Sequence, residues 1–169
     1  MDQDHFDLRR CIGALSTSFS SRLGAGASQE YHRRFGIGVV EWRVLCHLAT
    51  TPWDNVIAMA NSIGLDKSSV SRALSGMETR GLVEMRDGAR RKREAALTDA
   101  GWALHREVLP VARAREAALL DGFSPEEFET LLDYFHRLIG NLPKVEEDAQ
   151  GRLPQPSDGS DAARSSRSS

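Results

Sequence analysis

The sequence predicts a mainly α-helical fold of about six helices with a wing of two or three short strands, and three observations predict it. Apolar residues recur at helical spacing over most of the chain. The runs 55–62 and 66–79 read as two helices joined by a tight turn at Gly64. Two strand-like runs, 82–86 and 94–98, then flank a loop that opens with the turn signal Asp-Gly. Together these features describe a winged helix-turn-helix.

The first 35 residues are predicted to form two helices. Residues 4–23 carry an apolar stripe at helical spacing. Glycine and alanine at 24–27 are predicted to end this helix, and Ser28 to cap a short helix through Phe35. The stripe consists of Leu8, Ile12, Leu15, Phe19 and Leu23.

The next two helices lead into the turn. A helix over 40–49 ends before Pro52 and turns Trp42, Leu45 and Leu48 inward. Asp54 or Asn55 is predicted to cap the helix that follows. Asp66 then caps the helix over 66–79.

The helix over 66–79 has the most informative surface of the chain. Its apolar stripe consists of Val70, Ala73, Leu74 and Met77, and its opposite face combines short hydroxyls with two cations and no acid. Short donors let a helix backbone approach another surface closely, and cations suit one lined with phosphates. The residues of this face that we predict to contact DNA are Lys67, Ser68, Ser69, Ser71, Arg72 and Ser75.

The wing supports this interpretation over that of a solvated surface helix. Four adjacent cations close its loop, and adjacent like charges repel, so folding does not favour them. Residues 65–93 hold eight Lys and Arg against four Asp and Glu, in a chain of formal net charge −2. We therefore predict double-stranded DNA as the partner, with the helix in the major groove and the wing at the backbone or minor groove. The wing contacts predicted are Arg86, Arg90, Arg91, Lys92 and Arg93.

Two further helices and a tail complete the chain. Thr98 is predicted to cap a long helix to about residue 121, kinked by Pro110. A capping box at 124–127 starts the last helix. Its apolar stripe is wider than a winged domain covers, which indicates either packing on the first helix or a homodimer. The stripe consists of Phe128, Leu131, Leu132, Phe135, Leu138, Ile139 and Leu142.

Several classes of protein receive no support from the sequence. The N-terminus does not resemble a signal peptide, and no apolar run approaches the ~18 residues of a membrane span, so we expect a cytoplasmic protein without a membrane partner. The chain has two cysteines, Cys11 and Cys46, a number more typical of a protein in a reducing compartment than of one stabilised by disulfides. No catalytic motif occurs and the five histidines lie on separate segments, so we predict no enzyme activity, no metal site and no cofactor.

Four motifs give the chain, over about residues 5 to 142, a resemblance to the MarR family of transcriptional regulators. They are FGIGVVEWRVL (35–45), GLDKSSVSRAL (64–74), METRGLV (77–83) and LTDAGWAL (97–104). The resemblance implies a homodimer that binds pseudo-palindromic operators, usually a repressor released by a small phenolic or aromatic acid. It implies that Arg91 enters the minor groove. Ala89 departs from the family pattern, because an acid that helps to brace the wing usually stands there.

This resemblance divides the chain into four segments. Residues 4–35 would form part of a dimerisation lobe and of a ligand cleft, and residues 36–98 the winged helix-turn-helix domain. Residues 99–143 would supply the C-terminal dimerisation helices. The polar residues 144–169 are predicted to be a disordered tail, because they cannot bury enough apolar surface.

The ligand is predicted from a narrower resemblance. The stretch EYHRRFGIGVVEWRVL (30–45) is similar to the subgroup that senses hydroxycinnamates and related aromatic acids. By that resemblance Arg43 meets a carboxylate, for which its forked guanidinium is suited, and Ser16, Tyr31 and His32 are candidates for the pocket wall. The alternatives are that Arg43 braces an acid such as Glu41 and that His32 is solvated surface.

Two other functions remain open at this stage. Cys11 lies at the edge of the first apolar stripe, much as the reactive cysteine does in the organic-hydroperoxide branch of the family, which would make the protein an oxidant-sensing repressor. A winged helix can also serve as an interaction module without DNA. That role has no use for the cations at 90–93, and a steep salt dependence of DNA binding would separate the two classes.

Overall fold

The computed structural model describes residues 6–88 and 92–151, and within them the predicted mainly α-helical winged helix-turn-helix is confirmed. A 3-10 turn at Leu8–Arg10 precedes the first helix. The elements in chain order are α1 (Ile12–Phe35), α2 (Val39–Thr50), β1 (Asp54–Asn55), α3 (Val56–Ile63), α4 (Lys67–Thr79), β2 (Val83–Asp87), β3 (Arg93–Leu97), α5 (Asp99–Leu119) and α6 (Pro125–Gly151).

The predicted break at residues 24–27 is wrong, because α1 runs without interruption from Ile12 to Phe35. Alanine is the strongest helix former, and each glycine costs only about 1 kcal/mol in a helix. Burial of Ala27 and Tyr31 in the core offsets that cost. The helix ends instead at Gly36, whose φ of 65° is left-handed.

The helix-turn-helix forms as predicted. The Asn55 side chain accepts hydrogen bonds from the backbone N–H groups of Ile57 and Ala58, both at 3.1 Å, and so caps α3. Gly64 ends α3 with a φ of 66°. Asp66 Oδ1 then accepts from the Ser69 N–H at 2.8 Å and starts α4.

The wing belongs to a three-stranded antiparallel sheet with the order β1-β3-β2. Arg86 of β2 and Asn55 of β1 both pair with Glu94 of the central strand. The Gly88 N–H donates to the Lys92 carbonyl at 2.8 Å, which closes the described base of the hairpin. Residues 89–91 lie outside the described residues.

One apolar core holds the winged part together. Its fully buried side chains come from α2, α3, α4, α5 and the loop before α2, and they include Ile37, Val44, Leu45, Leu48, Met59, Val70, Met77 and Val108. The predicted inward positions of α2 are confirmed. Because the stripe of α4 faces this core, the hydroxyl-rich face of α4 is turned outward.

Helix α5 begins where the sheet ends. Thr98 Oγ1 accepts from the Gly101 N–H at 3.1 Å, as expected of a cap, and donates to the Gly81 carbonyl at 2.6 Å. A Cβ at position 101 would collide with the Leu82 carbonyl oxygen, so this close approach requires glycine. The helix continues through Pro110 and ends at Leu119.

Among the described residues, 117–151 form a second compact unit that contains α6. The predicted capping box is present: the Ser124 N–H donates to Glu127 Oε2 at 2.8 Å, and Ser124 Oγ accepts from the Glu127 N–H at 3.2 Å. The helix extends to Gly151, past the predicted boundary at residue 143, since Lys, Glu and Ala favour a helix even when exposed. Residues 152–169 of the predicted tail lie outside the described residues.

Within residues 6–88 and 92–151, none of the helices combines the length and the hydropathy that a membrane-spanning segment needs.

Candidate nucleic-acid interface and ligand cavity

The outer face of α4 presents the residues that the sequence assigns to DNA. Lys67, Ser68, Ser71, Arg72 and Ser75 are exposed, and Ser69 is half-buried. Arg72 Nη2 donates to Ser69 Oγ at 3.1 Å, which orients the guanidinium along the helix. Hydrogen bonds from the Ser69 hydroxyl and N–H lower the pKa of Asp66, so this cap remains an anion at the helix N-terminus.

The cations around the wing divide into two groups. Arg86 donates from Nε and Nη2 to Glu94 Oε2, at 3.0 and 2.9 Å, and Arg93 Nη2 donates to Glu78 Oε1 at 2.9 Å. Lys92 is exposed and forms no ion pair within the described residues. Arg90 and Arg91, like Ala89, lie outside the described residues.

These pairs change the electrostatic picture of the interface. Arg80, Arg86 and Arg93 each form an ion pair with a carboxylate. Among the described residues, the cations of this region that remain without a carboxylate partner are Lys67, Arg72 and Lys92. The sequence counts all of these cations alike, because it does not show which acids lie opposite them.

A cavity of about 300 Å³ lies among α1, α2 and α5. Tyr31 and Arg43, two of the predicted ligand residues, are part of its wall, whereas Ser16 and His32 are not among its lining residues. Its lining comprises Phe19, Ser20, Leu23, Gly24, Ala27, Tyr31, Val39, Trp42, Arg43, Ala112, Arg115 and Glu116. Ser20 occupies the position one helical turn beyond Ser16, and His32 is exposed beside Tyr31.

Arg115 is the lining residue that sequence reasoning missed. Its Nη2 donates to the Leu23 carbonyl at 3.3 Å. A Cβ at Gly26 would lie 3.5 Å from the same nitrogen, so the small residues of α1 leave room for the guanidinium. Nothing in the sequence indicates which face of α5 turns toward α1, and this pairing therefore had no local signal.

Arg43 forms no ion pair with Glu41, which the sequence offered as an alternative to a role in ligand binding. Glu41 accepts instead from the Gly38 N–H at 2.7 Å and from Arg80 Nη1 at 3.0 Å. Arg43 is exposed and forms no hydrogen bond or ion pair within the described part of the chain. Its guanidinium is therefore available to an anion in the cavity.

The aromatic wall of the cavity is uncharged. Burial raises the pKa of the Tyr31 phenol, against the opposing charge of Arg115, so Tyr31 can donate a hydrogen bond at neutral pH. Trp42 lies against Tyr31 with 6.0 Å between ring centroids, and His105 stacks on Trp42 at 5.4 Å. Burial, followed by Arg106 and Arg113, lowers the pKa of His105 and favours its neutral form.

The two cysteines and the potential metal ligands bear on thiol reactivity and metal binding. Burial raises the pKa of Cys46 to about 11, so its thiol stays protonated. Cys11 is half-buried immediately before α1 and its role as an oxidant sensor stays a prediction. In the described residues, no group of three or more His, Cys, Asp or Glu is arranged to hold a metal ion.

Comparison with known proteins finds the same fold in solved transcriptional regulators. Residues 35–94 match the model of the MarR family. A MarR/EmrR family transcriptional regulator from Acinetobacter sp. ADP1 is similar, with 26% identity over 82% of this chain and 99% of that one and a TM-score of 0.77.

Two other structures share the fold at lower identity. Bordetella bronchiseptica BpsR, whose DNA binding is regulated by 6-hydroxynicotinic acid, has 20% identity over 80% of this chain and 98% of its own, with a TM-score of 0.68. MepR from S. aureus, solved as a DNA complex, has 19% identity over 79% of this chain and 98% of its own, with a TM-score of 0.68. The chain thus has the MarR-family transcriptional regulator fold.

Proposed function

We propose that this chain, which has the fold of the MarR-family transcriptional regulators, is a homodimeric repressor that binds a pseudo-palindromic operator and is released by a small aromatic acid. The observation that carries this proposal is the exposed face of α4, which combines short hydroxyls with Lys67 and Arg72, two cations that form no ion pair within the described residues. MepR, a structure of the same fold, was solved with DNA.

The shape of the α4 surface supports insertion into a major groove. Its exposed side chains are short at Ser68, Ser71 and Ser75, so the helix backbone can approach base edges closely. Lys67 and Arg72 flank these hydroxyls and can meet phosphates on either side. The wing, with Lys92 exposed at its described base, would contact the neighbouring backbone.

The cavity supports an aromatic acid as the effector. Its volume of about 300 Å³ is in the range of small-ligand sites. Tyr31 and Trp42 supply an aromatic wall, and Arg43 supplies a guanidinium that can grip a carboxylate with two parallel hydrogen bonds. BpsR, which responds to a hydroxylated aromatic acid, shares the fold.

Release would follow from the position of Arg43 on α2. The same helix carries Glu41, which binds Arg80 at the C-terminus of α4. A ligand that binds Arg43 and displaces α2 would therefore also displace α4. In a dimer this would change the distance between the two copies of α4 that enter the DNA. That spacing must match about one turn of DNA, ~34 Å. Differential affinity of about 1–3 kcal/mol would suffice to weaken binding.

The test is the affinity for DNA upstream of the chain's own gene, measured by fluorescence anisotropy across a salt series. We expect tight binding that weakens linearly with the logarithm of salt concentration. Arg72→Ala should weaken it and reduce the slope by about 1, because one phosphate contact is lost.

The matched control is Arg33→Ala, which removes an exposed arginine of α1 that pairs with Glu30. It should leave both affinity and slope unchanged. Binding without salt dependence, or equal behaviour of the two variants, would contradict the proposed interface.

A further inference from the structure

Three side chains form a layer across one end of the wing sheet: Trp53, Arg86 and Glu94. The Arg86 guanidinium lies over the Trp53 ring, 4.0 Å from its centroid. Two of its nitrogens donate to Glu94 Oε2, at 3.0 and 2.9 Å. The Glu94 side chain is 20% exposed, whereas the arginine that it binds is 51% exposed.

The backbone is arranged to permit this layer. Glu94 lies on the central strand directly opposite both Arg86 and Asn55, the residue two positions after Trp53. Trp53 has a φ of 60°, an uncommon value for a tryptophan that costs conformational energy. A Cβ at Gly88 would collide with the Glu94 carboxyl group, so the glycine leaves space for that side chain.

A second pair ties the same hairpin to the recognition helix. Arg93, the first residue of β3, donates to Glu78 in the last turn of α4 at 2.9 Å. The wing strands are thus held at two places, by α4 on one side and by the loop before β1 on the other.

We propose that Trp53, Arg86 and Glu94 are a brace that fixes the orientation of the wing, and that Arg86 is a positioning residue rather than a phosphate contact. The proposal rests on the DNA-binding function proposed above. Because two of its nitrogens donate to Glu94 and its face lies on the Trp53 ring, this guanidinium has fewer donors left for a phosphate than a free arginine has. The brace instead holds β2 and β3, and with them Lys92 at the described base of the hairpin.

The two roles of Arg86 predict opposite effects of removing Glu94. If Arg86 contacts DNA, Glu94→Ala frees its guanidinium and removes an anion beside a polyanion, so affinity stays the same or rises. If Arg86 is held in a brace, Glu94→Ala releases the wing and affinity falls, although the protein has become more positive.

The experiment measures operator affinity by fluorescence anisotropy for wild type, Glu94→Ala, Arg86→Ala and the double variant, with thermal melts to confirm folding. We expect each single variant to bind about tenfold more weakly and the double variant to bind no more weakly than either. Trp53→Ala should behave like them, whereas Trp53→Phe, which keeps a ring face under the guanidinium, should bind within about twofold of wild type.

The outcomes separate this proposal from the one on which it rests. Salt-dependent binding by wild type, combined with unchanged or tighter binding by Glu94→Ala, would overturn the brace and leave the DNA-binding function standing. Additive losses in the double variant would also overturn the brace, since they would show that Arg86 and Glu94 act independently. If wild type itself does not bind DNA, both proposals fail.

Discussion

At the scale of single residues, the two guanidinium groups of the cavity differ in how they are held. Arg115 donates to a backbone carbonyl of α1 and lies close enough to Tyr31 to oppose the rise in the pKa of that phenol. Arg43 has no such partner in the described part of the chain. Arg115 is therefore held in place as part of the cavity wall, whereas Arg43 is free to form an ion pair with a bound ligand.

Replacement of Arg43 tests its proposed role in binding the ligand. We expect Arg43→Ala to bind an inducing aromatic acid about 10- to 100-fold more weakly, because a charge-assisted hydrogen-bonded pair is lost. Arg43→Lys should be intermediate, since it keeps the charge and loses the fork. Calorimetric titration with a panel of benzoic and hydroxycinnamic acids measures the effect.

Operator affinity without ligand serves as the control for this substitution. It should be unchanged, because Arg43 lies on the cavity side of α2 and not on α4. Wild-type ligand affinity in Arg43→Ala would show that the acid is recognised elsewhere.

At the scale of elements, capping hydrogen bonds decide where the helices begin. Helix α6 is the clearest case, because Ser124 and Glu127 satisfy each other's backbone N–H groups. The motif is readable from four consecutive residues and requires nothing from the rest of the chain. Its contribution to stability should therefore be local and additive.

Substitution of this cap gives the prediction for the element. Ser124→Ala should lower the free energy of unfolding by about 1 kcal/mol, since the N–H of Glu127 loses its acceptor. Ser124→Thr retains a hydroxyl and should stay close to wild type. Urea denaturation followed by circular dichroism at fixed protein concentration measures the difference, and equal stability of the two variants would show that the cap contributes nothing.

At the scale of the whole molecule, apolar faces remain exposed on both compact units. Along α1 they include Leu15 and Phe19, and along α6 Ile139 and Leu142, at 59% and 56% exposed. A monomeric protein rarely exposes contiguous apolar surface of this kind, and such faces mark interfaces. We therefore expect the predicted homodimer to bury them.

A charge placed in the α6 face tests the dimer. Ile139→Lys should shift the protein toward monomer in multi-angle light scattering and weaken operator binding, because one chain reaches only one half-site. Asp133→Lys is the control, since its side chain is 63% exposed and six residues place it about 120° around the helix from Ile139. A dimer that persists in Ile139→Lys would move the interface away from this face.

The sequence alone determined the features that depend on neighbours along the chain. Caps such as Asn55 and Ser124, the turn at Gly64 and the stripe of α4 follow from spacings of a few residues. Because that stripe must be buried, the outward position of Lys67, Ser68 and Arg72 followed as well. The winged helix-turn-helix and its candidate DNA surface could therefore be predicted.

The pairing of charges and the continuity of the helices depend on contacts between distant parts of the chain. Arg86 and Arg93 look like Lys92 in the sequence, yet strand register places Glu94 opposite the first and the packing of α4 places Glu78 beside the second. Packing against α2 and α5 likewise keeps α1 helical through its glycines and brings Arg115 to the cavity. Such contacts join residues far apart in the chain, so their energies depend on the completed fold and leave no local pattern.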